Sequence, residues 1–160
     1  MKTTELTVSD VARMALTMEE KGQNFYSWAA GKFKDNEVAD MFKRLAEEEK
    51  EHARIFKKLL DLPDAGELVS QESNRYLRML ANSGLFPSSG EVNDDHIKTP
   101  ADVLNIGIQA EKDAILFYQE MYNLAHSIEV KQALSKLLEE EKMHLVELRD
   151  SMEELRVIQV

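Results

Sequence analysis

Six polar residues fall on helical faces that are otherwise apolar, and their types suit a metal centre. Two segments read Glu-x-x-His, at Glu49–His52 and Glu141–His144, so each pair shares one face of a helix. Two further carboxylates, Glu19 and Glu111, interrupt apolar stripes in the same way. Burying four carboxylates without cationic partners is strongly unfavourable. The pattern therefore predicts that cations lie among these six side chains.

The six residues recur along the chain at one constant offset. Residues 19, 49 and 52 are repeated at 111, 141 and 144, each 92 positions later. The aromatic pair Phe25–Tyr26 is repeated as Phe117–Tyr118 at the same offset, and EEEKEH is repeated as EEEKMH. The chain therefore reads as an internal duplication that keeps these polar positions in register.

Four long helices are predicted to carry the six residues, because apolar residues recur there with helical spacing. All three prolines and three of the six glycines lie between residues 62 and 100, which predicts a linker with a short helix in SQESNRYLRMLAN. A linker of this length favours a crossover along a bundle. The first helix is predicted to run from Ser9, its N-cap, to Gly31–Phe33, and the second from Asp35–Asn36 to Leu60. The third is predicted to start after Pro100, and the fourth at Ser127, its N-cap.

The predicted fold is therefore all-α, with one domain over residues 1–160. Two antiparallel helical hairpins, 9–60 and 101–156, are joined by the crossover 61–100. In such a hairpin, residues equidistant from the turn lie at the same height, so Glu19 faces the Glu49 level and Glu111 faces the Glu141 level. Two hairpins packed face to face bring four glutamates and two histidines into one layer.

The ligand types restrict the metal. Four carboxylates and two neutral imidazoles balance the charge of two divalent cations. Oxygen ligands with one nitrogen for each ion suit Fe(II) or Mn(II), whereas zinc prefers more nitrogen or sulfur and Mg²⁺ or Ca²⁺ would not favour the histidines. A Glu from each of two helices plus Glu-x-x-His from each of two others is the ligand set of ferritin-like di-iron and di-manganese proteins.

With FY following each upstream Glu, residues 9–60 and 101–156 resemble the rubrerythrin branch of the ferritin-like superfamily. The resemblance implies a ferritin-like four-helix bundle that binds two iron ions, with manganese as the alternative. It assigns Glu49 and Glu141 as bridging ligands. Glu19 and Glu111 would be terminal carboxylates, and His52 and His144 would bind one ion each.

Two features depart from the family pattern. Rubrerythrins commonly carry another Glu one turn after the third-helix ligand, where this chain has Ala114, so the symmetric six-ligand site is expected. The cysteine-ligated rubredoxin domain is also expected to be absent, because the sequence contains no cysteine. The electrons would then come from a separate donor, either a rubredoxin-like protein or a flavin reductase.

Two pairs of residues next to the ligands admit two interpretations. Glu48 and Glu140 are either surface charges or acceptors for the N–H of a ligand histidine on the facing helix. Tyr26 and Tyr118 are either core residues with a satisfied hydroxyl, or groups that hydrogen-bond a ligand carboxylate or pass an electron.

The leading functional hypothesis is the reduction of hydrogen peroxide to water, a choice that rests on the family resemblance. The alternatives are a ferroxidase that uses O₂ and handles iron, a di-manganese catalase, an O₂-activating oxidase, and a metal-free bundle that serves as an interaction module. The metal-free alternative predicts that Glu49→Ala or His144→Ala leaves stability equal or improved.

Composition narrows the partners and the location. The formal net charge of −10 argues against binding to nucleic acid or anionic lipid, and the absence of a long apolar run argues against a membrane span. The N-terminus lacks the apolar segment of a signal peptide, so a cytoplasmic location is expected. A homodimer is also expected, because the linker carries apolar residues predicted to be exposed, namely Leu77, Leu80, Leu85 and Phe86.

Overall fold

Four long helices and one short helix make up the described part of the chain. The computed structural model describes residues 5–61, 69–82, 86–87 and 96–158. None of its helices combines the length and the apolar character that crossing a membrane requires. Much of the turn-rich linker, including Pro63, Gly66, Gly84 and Gly90, lies outside the described residues. The helices are α1 (Val8–Lys32), α2 (Val38–Leu59), α3 (Gln71–Asn82), α4 (Pro100–Leu124) and α5 (Ile128–Ile158).

The predicted all-α bundle is confirmed. Helices α1 and α2 form one hairpin and helices α4 and α5 form the other, and these two pairings dominate the contacts between elements. Helix α3 lies in the crossover, where SQESNRYLRMLAN predicted it, and packs against α4 and α1.

Equivalent capping boxes begin the first helix of each hairpin. The Thr7 hydroxyl accepts from the Asp10 backbone N–H at 3.1 Å, and the Asp10 carboxylate accepts from the Thr7 backbone N–H at 2.8 Å. Thr99 and Asp102 do the same for α4, with Pro100 in its first turn. The predicted N-cap Ser9 is therefore wrong, because the acidic partner three residues along selects Thr7.

The second helix of each hairpin begins with a weaker cap. Asn36 accepts from the Val38 backbone N–H at 3.1 Å, while Glu37 at the N-cap position makes no side-chain cap. The Ser127 hydroxyl lies 3.5 Å from the Val130 backbone nitrogen, at the limit of a hydrogen bond. The predicted starts are therefore close, but these helices depend on packing more than on their caps.

A layer of buried polar side chains separates two apolar clusters. One cluster joins the N-terminal half of α1 to the C-terminal half of α4 and includes Phe56 and Leu137. The other joins the opposite halves and includes Phe42 and Leu148. The polar residues that form the layer lie between these clusters, at the middle of the bundle.

The crossover contributes apolar side chains to both clusters. Leu77 and Leu80 of α3 are 0% and 2% exposed in the first cluster, and Phe86 is 5% exposed in the second. The expectation that these three residues are exposed and available to a dimer partner is therefore wrong, because they pack onto the chain's own bundle. Leu85 lies outside the described residues.

Candidate metal centre

The polar layer brings all six candidate ligands together, and each is at most 2% exposed. Their ligand atoms form two groups, and within each group the atoms lie within 4.8 Å of one another. Both groups contain Glu49 and Glu141. The first group is Glu19, Glu49, His52 and Glu141, and the second is Glu49, Glu111, Glu141 and His144. The arrangement is therefore two adjacent four-residue sites that share two carboxylates.

Helix register explains why these side chains meet. Helices α1 and α4 each supply one glutamate, while α2 and α5 each supply a glutamate and a histidine three residues apart on one face. Glu141 lies between the two imidazoles, with its Oε1 2.8 Å from His52 Nδ1 and its Oε2 3.1 Å from His144 Nδ1. The ring centroids of His52 and His144 are 5.6 Å apart.

Three ligand oxygens are buried with no hydrogen-bond partner among the described residues: Glu19 Oε2, Glu49 Oε1 and Glu111 Oε2. Anionic oxygens buried in this way are stable only beside positive charge, and the nearest protein nitrogens are His52 Nδ1, 3.5 Å from Glu19 Oε2, and His144 Nδ1, 3.1 Å from Glu49 Oε1. The donor set, with carboxylates in excess and one imidazole for each group, therefore fits two divalent ions of the Fe(II) or Mn(II) type. Asp113 also has an unpartnered buried oxygen, but it lies about 200° around α4 from Glu111 and outside the layer.

The pKa values of the four ligand glutamates reflect their burial and their mutual repulsion in the layer. Burial raises the pKa of Glu19, Glu49 and Glu111, and the charge of Glu141 adds to the effect. Burial would also raise the pKa of Glu141, but hydrogen bonds from its neighbours outweigh this and lower it.

The histidines behave in the opposite way. Burial acts to lower the pKa of His52, but the hydrogen bond to Glu141 and the nearby Glu19 carboxylate, whose Oε2 lies 3.5 Å from Nδ1, outweigh it and raise the pKa to about 11. The pKa of His144 is raised for the same kind of reason, by Glu111 and Glu141. Without metal, protonated imidazoles therefore provide the positive charge of the layer, and metal binding must release those protons.

Glu48 and Glu140 each accept a hydrogen bond from a histidine on the facing helix. His52 Nε2–H donates to Glu140 Oε2 at 2.6 Å, and His144 Nε2–H donates to Glu48 Oε2 at 2.6 Å. Both acids are about two-fifths exposed, at 41% and 42%. Because Nε2 carries the proton that is donated, Nδ1 is left to face the carboxylate cluster as a ligand atom.

The tyrosine hydroxyls reach ligand carboxylates of the other hairpin. Tyr26 donates to Glu111 Oε1 at 3.1 Å, and Tyr118 donates to Glu19 Oε1. Both tyrosines are fully buried. They therefore hold one oxygen of each unshared glutamate and leave the other oxygen facing the cluster.

Removing one hydroxyl should weaken the protein measurably. Tyr118→Phe removes the hydroxyl that donates to buried Glu19 and leaves His52 Nδ1, 3.5 Å from Oε2, as its nearest protein donor, which costs about 1–3 kcal/mol of unfolding free energy. Thermal or urea unfolding of the metal-free protein measures this loss. Tyr122→Phe is the matched control, because Tyr122 is only partly buried and lies outside the layer. Equal stability of the two variants would contradict the structural role of Tyr118.

Sequence reasoning did not assign a role at the site to Phe86. A Cβ atom on Gly22 would lie 2.9 Å from both Glu49 Oε2 and Phe86 Cε2, so the glycine leaves room for the ring beside the shared carboxylate. The ring packs on Phe25 and Tyr26, with centroids 5.4 and 5.1 Å away. Phe86 lies in a segment without periodicity, so no sequence signal could have found it.

Comparisons with known proteins agree with this geometry. A sequence profile described as rubrerythrin matches residues 10–152. The chain is also similar to a solved structure from Thermotoga maritima, provisionally described as a ferritin-like di-iron carboxylate protein. The two are 27% identical with a TM-score of 0.80, and the match covers 95% of this chain and 98% of that chain. The search of curated proteins found no match.

Proposed function

Since this chain belongs to the rubrerythrin family, we propose that it is a redox enzyme that holds two iron ions and reduces hydrogen peroxide to water. The observation that supports this most directly is the pair of four-residue groups that share Glu49 and Glu141. The proposed ligands are Glu19, Glu49, His52, Glu111, Glu141 and His144. When bound, the two ions would supply one electron each and Lewis acidity for peroxide cleavage.

The chain's own residues prepare the site for that chemistry. The two apolar clusters exclude water from both sides of the polar layer, which strengthens electrostatic interactions within it. Tyr26 and Tyr118 fix the unshared carboxylates, and Glu48 and Glu140 fix the imidazoles. The site is therefore organised before substrate arrives.

Each peroxide reduced to two waters consumes two electrons and two protons, so the protein needs supplies of both. The hydrogen bonds from the histidine Nε2–H groups to Glu48 and Glu140 lead from the buried imidazoles to solvent-exposed carboxylates. They orient the imidazoles, but a histidine that binds an ion through Nδ1 has no second nitrogen to pass a proton on, so the protons come from solvent. For electrons we propose a separate donor protein, either rubredoxin-like or a flavin reductase, because this sequence has no cysteine to form an iron–sulfur centre.

A ferroxidase that uses O₂ is the second candidate. Ala114, which is 6% exposed, stands on the turn after Glu111, where rubrerythrins commonly carry a further glutamate. The symmetric six-ligand set that results does not itself select peroxide over O₂. It also suits manganese, so a di-manganese catalase has the same ligand requirements.

One anaerobic experiment separates these functions. The apoprotein is loaded with Fe(II), the iron in each chain is counted, and oxidation by hydrogen peroxide and by O₂ is followed in separate stopped-flow runs. We expect two irons and much faster oxidation by peroxide. Oxidation mainly by O₂ would favour the ferroxidase, and tight binding of manganese in place of iron would favour the catalase.

A further inference from the structure

The two metal positions are alike in their ligands but differ one contact further out. Arg44 and Lys136 occupy equivalent places in the repeat, 92 residues apart, and each lies one helical turn before its acid. Arg44 Nη1 lies 3.6 Å from Glu48 Oε1, and Lys136 Nζ lies 4.0 Å from Glu140 Oε1. Each cation therefore contacts Oε1 of its acid, while a histidine Nε2–H binds Oε2.

Only the arginine is itself anchored across the bundle. The guanidinium binds Glu147 of α5 through two hydrogen bonds, Nη1 to Oε1 at 3.2 Å and Nη2 to Oε2 at 2.6 Å. The residue equivalent to Glu147 in the first repeat is Ile55, which cannot anchor Lys136 in the same way. The side chain of Lys136 is accordingly 71% exposed, against 48% for Arg44.

The two differing cations, Arg44 and Lys136, lie in the groove through which solvent reaches the histidine side of the site. A groove of about 870 Å³ between α2 and α5 is lined by both histidines, both acids and both cations, together with Ile55 and Glu147. A paired guanidinium and carboxylate keep a fixed geometry, whereas a lysine in water samples many. Glu48 is therefore restrained at both oxygens by groups tied to α2 and α5, and Glu140 is restrained mainly by its histidine.

We propose that Arg44, anchored by Glu147, is a positioning residue that holds the Glu48–His144 pair and makes the two metal positions inequivalent. The ion bound through His144 and Glu111 is retained longer, and the ion bound through His52 and Glu19 exchanges first. This inference rests on the two-metal site proposed above, and it does not depend on which oxidant the protein uses.

The imidazole N–H protons report each position separately. In protein loaded with Co(II), a high-spin ion that shifts nearby proton resonances, the Nε2–H signals of the two histidines are observed by NMR and their exchange with D₂O is timed. We expect two signals whose exchange rates differ by about 3- to 10-fold, the slower one from His144. A higher NaCl concentration should bring the two exchange rates closer together, because the Arg44–Glu147 ion pair is partly exposed and is screened by salt.

Matched variants test whether the Arg44–Glu147 pair causes the difference in exchange rate. Glu147→Gln removes the charge and one of the two acceptor oxygens of the anchor but keeps Arg44 and Glu48, and it should bring the rate of the slower signal towards that of the faster one. Lys136→Gln is the control at the equivalent position and should leave both rates nearly unchanged. The double variant Ile55→Glu with Lys136→Arg builds the missing anchor and should slow the faster signal.

Specific NMR results would contradict this role of Arg44. Equal exchange rates in the wild-type protein would overturn it, and so would a Glu147→Gln variant that changes both signals equally or neither. Two bound Co(II) ions with unequal signals would support the inference even if iron-loaded protein failed to reduce peroxide. Failure to bind Co(II) at the layer would overturn the inference together with the two-metal site.

Discussion

Glu49→Gln is expected to leave the metal-free protein at least as stable as the wild type and to abolish its stabilisation by metal. Glu49 is 2% exposed, and its Oε1 makes no hydrogen bond of good geometry, although His144 Nδ1 lies 3.1 Å away. Burial raises its pKa, and the charges of Glu141, Glu19 and Glu111 add to the effect. A neutral amide relieves that repulsion, but it removes a carboxylate that both metal positions share.

The metal-dependent stabilisation that Glu49→Gln should lose is large. A ligand at about 1,000 times its dissociation constant adds about 4 kcal/mol to the free energy of unfolding. For a domain of this size, that corresponds to a rise of roughly 8–16 °C in melting temperature. We expect calorimetry to show this rise for the wild type with Fe(II) or Mn(II), and to show none for Glu49→Gln.

The neighbouring Glu47→Gln is the control, because Glu47 is exposed on the same helix and carries the same charge. It should keep two metals in each chain and the full rise in melting temperature. Full loading of the Glu49→Gln variant would remove Glu49 from the ligand set. If metal leaves the melting temperature of the wild type unchanged, the metal-free interaction module becomes the better hypothesis.

Gly22→Ala is expected to damage the protein although alanine is the better helix former. The added methyl would lie 2.9 Å from Glu49 Oε2 and 2.9 Å from Phe86 Cε2, so one of them must move. Overpacking of this kind costs about 1–3 kcal/mol, which exceeds the gain of about 1 kcal/mol in helix propensity. Movement of Glu49 also disturbs both metal positions, so we expect weaker metal binding as well as a lower melting temperature.

Gly31→Ala provides the opposite expectation within the same helix. An added methyl there meets nothing within 4 Å, so only the propensity gain of roughly 0.5 kcal/mol remains. Thermal melts of both variants, with and without metal, together with metal counts, test the pair. A Gly22→Ala protein that melts above the wild type and holds two metals would show that Phe86 and Glu49 do not crowd this position.

The buried layer was predictable because its chemistry is expressed in the local pattern. Glu19 and His52 each occupy an apolar helical stripe, and the 92-residue repeat gives each an equivalent in the other half. The repeat also contained a signal that was not used: Thr7 and Asp10 recur as Thr99 and Asp102 at the same offset. It would have placed the N-cap at Thr7 rather than at Ser9.

Contacts between distant segments were not predictable in the same way. The contact of Arg44 with Glu147 depends on how α2 and α5 face each other, which the periodicity of either helix does not define. Leu77 and Leu80 looked exposed because α3 is short and lies in a polar linker, yet the bundle offers apolar surface that buries them. Phe86 is buried for the same reason, since tertiary packing decides the position of a residue without periodic neighbours.

The tyrosine and histidine contacts also bear on the order of events during folding. Each one joins the two hairpins: Tyr26 to Glu111, Tyr118 to Glu19, His52 to Glu140 and His144 to Glu48. A hairpin alone offers two carboxylates and one imidazole, so a complete site exists only after the hairpins dock. Metal that needs all four ligands of a group therefore binds after the hairpins dock. It stabilises the docked state, so a chelator acts on the docking equilibrium.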